Sequence, residues 1–500
     1  MQCRNRKGLA VGCLIGIAIV SGAIALILSL VGIRDVLQPS PNKYGLVFDA
    51  GSSHTSLFVY QWPAHKENDT GIVSQIHVCA VEGGGLSAYA DDPAKAGESL
   101  KHCMDEALSI IPSEQHKQTT VLLGATAGMR LLRLENETKT QHIFDEVSKT
   151  LSQYPVDFQG ARILTGKEEG SLGWITVNYL LGTFIQYTYI SSWTHPQANM
   201  YGAMDLGGAS TQMTFQPSVV IEDKTTEMLF RLYGYDYTLY TNSYLCYGQD
   251  QAMKRILARL IETNKGNFVH PCYPSGYTAT ITLSSVYNSP CVSTPPSGVG
   301  PNVTVEGTGN PYECQVVTSS IFNFTCSQTT CAFNGTYQPP VHGEFYAFSA
   351  YYYTFNFLNL TYRQPLSIAN RTIWEFCGRN WSELSASYPT ESRKRLMEYC
   401  NSAIYILTLL LDGYKFDSQT WNNIHFANQA GGSDVGWTLG YMLNTTNKIP
   451  SEDATLLKGH EYGIWAAAIF FIVLSLAAVL VAAPLHCYCR NACSGQGGLT

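Results

Sequence analysis

Two short stretches of this chain share one chemistry-bearing pattern. An apolar run ends in aspartate, glycine follows two residues later and threonine six residues later, and the chain turns apolar again. The stretches are Asp49-Ala-Gly-Ser-Ser-His-Thr-Ser-Leu-Phe and Asp205-Leu-Gly-Gly-Ala-Ser-Thr-Gln-Met-Thr-Phe. Each is expected to form a β-hairpin, with Tyr44-Gly-Leu-Val-Phe or Tyr201-Gly-Ala-Met entering as a strand and the glycines and serines turning the chain. Backbone N–H groups in a loop of small residues can converge on an anion, and the neighbouring carboxylate can hold a hydrated divalent cation against that anion. The duplication points to a phosphate-and-metal clamp. Two ordinary hairpins with shared turn chemistry are the alternative, because Asp-x-Gly alone is common.

Three other segments could serve the same chemistry. Leu123-Gly-Ala-Thr-Ala-Gly-Met-Arg puts small residues at a strand-to-helix corner, where helix N–H groups accept a phosphate and Thr126 offers a hydroxyl; a tight packing turn would look the same. Leu164-Thr-Gly-Lys-Glu-Glu-Gly-Ser-Leu-Gly places Glu168 and Glu169 just before a helix expected over Ser171 to Leu181, whose Leu172, Ile175 and Tyr179 share a face. Acidic residues there commonly serve the helix dipole, yet beside glycine one of them can reach a cleft and act as general base toward water. Spacing leaves the choice between the two open. In Ala430-Gly-Gly-Ser-Asp-Val-Gly-Trp-Thr-Leu-Gly-Tyr, packing and ligand contact explain Trp437 and Tyr441 equally well. There is no Gly-x-x-x-x-Gly-Lys-Ser/Thr, since Lys167 after Gly166 is followed by glutamate, and no His-Glu-x-x-His. Phosphate charge must then be met by a divalent ion and backbone amides.

The elements that would position these residues read as α/β. Strand-like runs at Tyr44 to Phe48, Thr55 to Tyr60, Thr119 to Leu123 and Tyr201 to Met204 alternate with helix-like runs near Ala94 to Ile111, Asn136 to Leu151, Asp250 to Glu262, Phe345 to Leu358 and Glu391 to Leu411. Two aspartate hairpins far apart in the chain suggest two similar lobes facing across a cleft. Residues 264–336, rich in Pro, Gly, Ser, Thr and Cys, read as an insertion pinned by bridges rather than by a large core.

Residues 8–33 and 462–485 carry no charge and are long enough to cross a ~30 Å hydrocarbon layer at ~1.5 Å per residue. Arg4, Arg6 and Lys7 favour a cytosolic N-terminus, and two spans return the C-terminus to the cytosol, leaving tails at 1–7 and 486–500. Nine Asn-x-Ser/Thr sequons, at Asn68, Asn136, Asn302, Asn323, Asn334, Asn359, Asn370, Asn380 and Asn444, all lie between the spans. So do ten of the fifteen cysteines, which reads as five disulfides in an oxidising compartment. The region between the spans is therefore expected outside the cytosol. Cys3, Cys13, Cys487, Cys489 and Cys493 fall in the tails or a span. A formal net charge of −7 argues against a nucleic-acid partner.

Taken in order, DAGSSHTSLFVY, GATAGMR, EEGSLGWITVNYLLG, DLGGASTQMTF and DVGWTLGYMLN match the five-motif signature of the apyrases, and the chain resembles the cell-surface, two-span ecto-nucleoside triphosphate diphosphohydrolases over its whole length. The resemblance implies two lobes of the actin and ribonuclease H type with the active site between them, lobe I over 34–166 and 430–461 and lobe II over 167–429. It implies hydrolysis of extracellular ATP, ADP, UTP and UDP to the monophosphate with Ca²⁺ or Mg²⁺ as cofactor, and a homo-oligomer formed through the spans. By motif, Asp49 and Asp205 would hold the metal through water and Glu169 would be the base. Ser210 and Gln212 would position the attacking water. Ser52, Ser53, His54, Thr55, Thr126, Gly208 and Ala209 would line the phosphates. Tyr353 and Arg395 would sandwich the nucleobase. Lys167 stands where related sequences often carry glutamine, and an ammonium there would favour the ionised form of Glu169. Similar cysteine order implies bridges Cys79 to Cys103, Cys246 to Cys291, Cys272 to Cys314, Cys326 to Cys331 and Cys377 to Cys400. The rival readings are an ATP-gated two-span channel subunit, a catalytically silent actin-like ectodomain, and sugar-kinase chemistry on the same fold.

Overall fold

The structure, a computed structural model, describes residues 2–31, 33–37, 41–187, 193–196, 198–263, 268–452 and 456–494. Residues 264–267 of the expected insertion and 495–500 of the C-terminal tail lie outside the described residues, as do the side chains of Cys3, Cys489 and Cys493.

The chain forms two units. One comprises 1–41 and 452–500, with two apolar helices, Gln2–Leu30 and Tyr462–Ser494, that pack on one another. Ser475 Oγ donates to Ala18 O at 3.0 Å between them. Their membrane-length parts are Gly8–Leu30 and Tyr462–Tyr488, so the first apolar helix stops three residues short of the expected 33 and the second runs past 485. Ile33–Leu37 pairs antiparallel with Leu456–His460. Residues 34–41 and 452–461, expected in lobe I, thus group with the terminal helices.

The other unit, 42–451, is built on two sheets of the same plan. In the first, β1 (Asn42–Ala50), β2 (Thr55–Pro63) and β3 (Ser74–Val81) form an antiparallel meander, and β4 (Thr120–Ala125) and β5 (Asp157–Ile163) extend it in parallel beyond β1. In the second, β6 (Gly202–Leu206) and β7 (Ser210–Phe215) pair antiparallel; next come β8 (Glu227–Leu232), β9 (Tyr235–Leu245), β10 (Phe345–Ser349) and β11 (Ile424–Phe426). Their spatial order is β8-β9-β7-β6-β10-β11, with β6, β10 and β11 parallel. The orders β3-β2-β1-β4-β5 and β9-β7-β6-β10-β11 are one ribonuclease H-like topology used twice, and β8 adds an edge. Each aspartate ends the central first strand of its sheet.

Burial explains the strand composition. Leu46, Val47 and Phe48 are fully buried because both faces of β1 are covered, which favours an unbroken apolar run over alternation. Phe345 to Leu358, expected as one helix, is strand β10 followed by a helix at Ala350–Phe357, since a short apolar run covered on both sides carries no helical period. The 94–111 run is likewise two helices, Pro93–Ser99 and Lys101–Ile110.

Four helices bear on the site: α1 (Ala127–Glu135), α2 (Gly166–Leu180), α3 (Gln249–Thr263) and α4 (Trp437–Thr446). Helices α2 and α4 meet closely. The Gly440 N–H donates to Thr176 Oγ1 at 2.8 Å, and a Cβ at Gly440 would run into the Leu172 carbonyl. The 268–314 region has three strands, Phe268–His270, Thr278–Thr282 and Asn302–Gly307, and a small apolar cluster of Tyr273, Val286 and Val305 against Leu257 and Ile261 of α3. Five disulfides join Cys79 to Cys103, Cys246 to Cys291, Cys272 to Cys314, Cys326 to Cys331 and Cys377 to Cys400. Cys13 and Cys487 are free and exposed.

The α2–α4 contact yields a measurable expectation. Gly440→Ala should lower stability by about 1–3 kcal/mol through forced displacement of the Leu172 turn. Gly378→Ala, whose nearest foreign atoms are 3.6 Å away, should change it by less than about 0.5 kcal/mol. Thermal or denaturant unfolding of the two variants checks both.

Candidate active site

The hairpin tips of the two sheets face one another. A Cβ on Gly208 would lie 2.6 Å from Ser52 Oγ and 2.6 Å from Asp250 Oδ2, so the second loop approaches the first with room for no side chain. A Cβ on Gly128 of α1 would likewise lie 2.8 Å from Ser52 Cα, and the Thr126 N–H donates to Ala50 O at 3.0 Å. Ser52, Gly128, Gly208, Ala209, Asp250 and Ser289 line a cavity of about 190 Å³ between these elements. Ser53 and His54 are exposed, with Ser53 Oγ 3.1 Å from His54 Nδ1. Thr55 and Thr126 are buried, and Thr55 Oγ1 has no hydrogen-bond partner.

Strand β7 departs from the apolar pattern of a covered strand. Ser210, Thr211, Gln212 and Thr214 are all buried, a polar content that demands partners. Thr211 Oγ1 donates to the Asp205 carbonyl at 2.8 Å and sits within 3.2 Å of the Tyr351 and Tyr414 hydroxyls. Gln212 Nε2 lies 2.6 Å from Ser210 Oγ, 2.9 Å from Ser243 Oγ and 3.2 Å from Glu169 Oε2, and its two hydrogens are shared among these three acceptors. The structure thus brings Glu169, Ser210 and Gln212 into one buried cluster.

Helix α2 begins at Gly166, earlier than expected, which puts both glutamates inside its first turn and separates their tasks. Glu168 closes a capping box: its Oε2 accepts from the Thr165 N–H at 2.8 Å, Thr165 Oγ1 accepts from its N–H, and its other oxygen pairs with Arg162 at 2.9 Å. Glu169 points the other way and is buried. The cation beside it is Arg130 of α1, whose Nη2 donates to Glu169 Oε2 and also lies 3.3 Å from Ser210 Oγ. Lys167 does not take that part, since its Nζ donates to the Thr225 carbonyl at 2.7 Å on the exposed side. Burial raises the Glu169 carboxyl above its ordinary range, and Arg130 offsets part of this.

Asp49 and Asp205 are pushed up to about 7, both chiefly by burial. The Trp437 indole beside Asp49 and the Ser349 hydroxyl beside Asp205 draw each partway back, while Glu169 repels both. Ser349 reaches this place at φ 59, a left-handed conformation that serine rarely adopts. The Oδ1 atoms of Asp49 and Asp205 are buried without a hydrogen-bond partner among the described residues. A buried glutamate paired with a guanidinium and two half-buried aspartates with orphaned oxygens fit a hydrated divalent cation, whose waters would supply the missing donors.

Of the other expected site residues, Tyr353 is exposed, with its ring 5.6 Å from Tyr352, and Arg395 is exposed on helix Arg393–Thr408; neither lines the cavity. Arg130, Ser243, Trp437 and Ser349 are the residues that sequence reasoning left without a role. Arg130 was within reach, because it closes the quoted Gly-Ala-Thr-Ala-Gly-Met-Arg motif. Ser243 and Ser349 carry no local signal.

Residues 35–458 match the GDA1/CD39 (nucleoside phosphatase) family. The chain belongs to this family. It is 57% identical over 491 residues to ectonucleoside triphosphate diphosphohydrolase 8 of Gallus gallus, covering 97% of this chain and 99% of that one. It is 53% identical over 489 residues to the Homo sapiens protein of the same name, with the same coverage. In ectonucleoside triphosphate diphosphohydrolase 2 of Homo sapiens the identity is 44% over 468 residues, covering 92% of this chain and 94% of that one. A crystal structure of nucleoside triphosphate hydrolases from Neospora caninum shares the fold, with a TM-score of 0.60 at 14% identity, covering 87% of this chain and 96% of that one.

The raised aspartates have a thermodynamic consequence. A carboxyl held near 7 in the folded state and near 3.9 when unfolded contributes stability at low pH that is lost as the pH rises from about 4 through 7. In chelator the protein should therefore be less stable at pH 8 than at pH 5, by an amount on the order of a few kcal/mol, and unfold at a lower temperature. Asp205→Asn should unfold at higher temperature than the wild type at pH 8 in chelator, and added Ca²⁺ should narrow the gap by stabilising the wild type. Scanning calorimetry at the two pH values measures this.

Proposed function

We propose that residues 42–451 hydrolyse extracellular nucleoside tri- and diphosphates, ATP, ADP, UTP and UDP, to the monophosphate and orthophosphate in a divalent-cation-dependent reaction. The observation that carries this reading is the buried Glu169–Gln212–Ser210 cluster beside two hairpin tips whose aspartates keep orphaned oxygens. The phosphate-binding part falls to the N–H groups and hydroxyls of Ser52, Ser53, His54, Thr55, Gly208 and Ala209, with Thr126 at the terminal phosphate. Asp49 and Asp205 would hold Ca²⁺ or Mg²⁺ through its waters, and the bound ion would supply neutralisation of the phosphate oxygens.

Water oriented by Ser210 and Gln212 attacks the terminal phosphorus in line with the bridging oxygen, and Glu169 accepts its proton. The P–O bond to the leaving nucleotide breaks as the bond from water forms. Burial raises the proton affinity of Glu169, which suits a base for water, while Arg130 draws it partway back. Tyr353 and Arg395 take the nucleobase between them. In this reading lobe I comprises 42–166 and 430–451 and lobe II 167–429. The two apolar helices cross the plasma membrane with both termini cytosolic and form the homo-oligomer contact, and the nine sequons carry glycan outside the cell.

Phosphate release from ATP and ADP by intact expressing cells tests the reading. Glu169→Gln should reduce turnover of both substrates by about 100-fold or more, and chelator should abolish it in the wild type. Wild-type turnover by Glu169→Gln would reject the base. Current through the membrane with no phosphate release would favour the channel reading.

A further inference from the structure

Ser243 lies in none of the five motifs, yet it sits on β9 directly opposite Gln212 of β7. Its Oγ is 2.9 Å from Gln212 Nε2 and 3.3 Å from Arg130 Nη1. The polarity of this contact is decided by its neighbours. A guanidinium can only donate and an ionised carboxylate can only accept, so Arg130 occupies one lone pair of Ser243 Oγ, and Glu169 Oε2 requires an N–H from the Gln212 head group 3.2 Å away. The nitrogen end of the Gln212 amide must therefore face inward, its two hydrogens shared among Ser243, Ser210 and Glu169. Its Oε1 is left buried with no partner among the described residues. Leaving an amide oxygen in that state is costly, and a water bound against it recovers the lost hydrogen bond.

We propose that Ser243 is a positioning residue for the hydrolysis, locking the Gln212 amide so that its Oε1 accepts one hydrogen of the attacking water while Glu169 takes the other. This rests on the reading of Glu169 as the base. Without Ser243 the amide keeps Ser210 and Glu169 but loses the anchor from the facing strand, and it can rotate its oxygen inward toward Arg130, which is a donor. The water is then misaligned although every phosphate-binding group remains. Gly166 packs against Ser243 Cβ and Oγ, so the position admits no larger side chain without displacement, and alanine is the variant that isolates the hydroxyl.

The test is a double-mutant cycle on the full-length, membrane-solubilised enzyme with ATP and saturating Ca²⁺, measuring kcat, KM and thermal unfolding for the wild type, Ser243→Ala, Gln212→Ala and the double variant, with Glu169→Gln as reference. Ser243→Ala should lower kcat by about tenfold or more with KM within about twofold, and should add no further loss in the Gln212→Ala background, because it acts through that amide. Losses that multiply in the double variant, wild-type kcat in Ser243→Ala, or a loss that merely follows unfolding at the assay temperature would overturn the proposal. Inactive Glu169→Gln together with any of these rejects Ser243 alone. An active Glu169→Gln rejects the base and this positioning role with it.

Discussion

An excess of buried negative charge organises this protein. Glu169 is buried, Asp49 and Asp205 are half-buried with one oxygen each out of water, and Arg130 is the sole guanidinium paired with Glu169 among the described residues. Isolated carboxylates in such surroundings would take up protons or pull the structure apart. The site is therefore incomplete as a purely protein object, and its electrostatics are arranged for a positive partner that arrives from solution. In the proposed reading a polyphosphate brings further negative charge and would enter with such a partner, which would couple nucleotide binding to the cation.

The duplicated topology is what makes the cluster affordable in structural terms. Each sheet ends its central strand in an aspartate and turns at once through small residues, so two backbones approach where side chains would collide. Gly208 against Ser52 and Gly128 against Ser52 are the contacts that set this distance. Helix α2, nucleated by the Thr165–Glu168 capping box, then delivers Glu169 from the opposite side, and the register of β9 on β7 delivers Ser243. One capping glutamate and one catalytic candidate stand side by side because consecutive residues at a helix start point in different directions.

Local sequence made the hairpins, the spans and the five motifs legible, since glycine at fixed offsets from aspartate and long uncharged runs are features of single segments. The roles of Glu168 and Glu169 were not separable that way, because the capping box is a matter of side-chain direction. Lys167 was expected to influence Glu169 on grounds of proximity in sequence, but it turns to Thr225, and the ion pair comes from Arg130, 39 residues earlier. Ser243 and Ser349 owe their places to strand register and to a left-handed backbone, and neither has a local signature. The 345–358 run misled in another way: enclosure on both faces erased the periodicity that separates a strand from a helix.

The stretch from 42 to 451 is uninterrupted in the chain, and it contains both sheets, all five disulfides and every group of the proposed catalytic machinery. No disulfide among the described residues ties this stretch to the two apolar helices, so peptide-bond cleavage near residues 41 and 452 would part it from both.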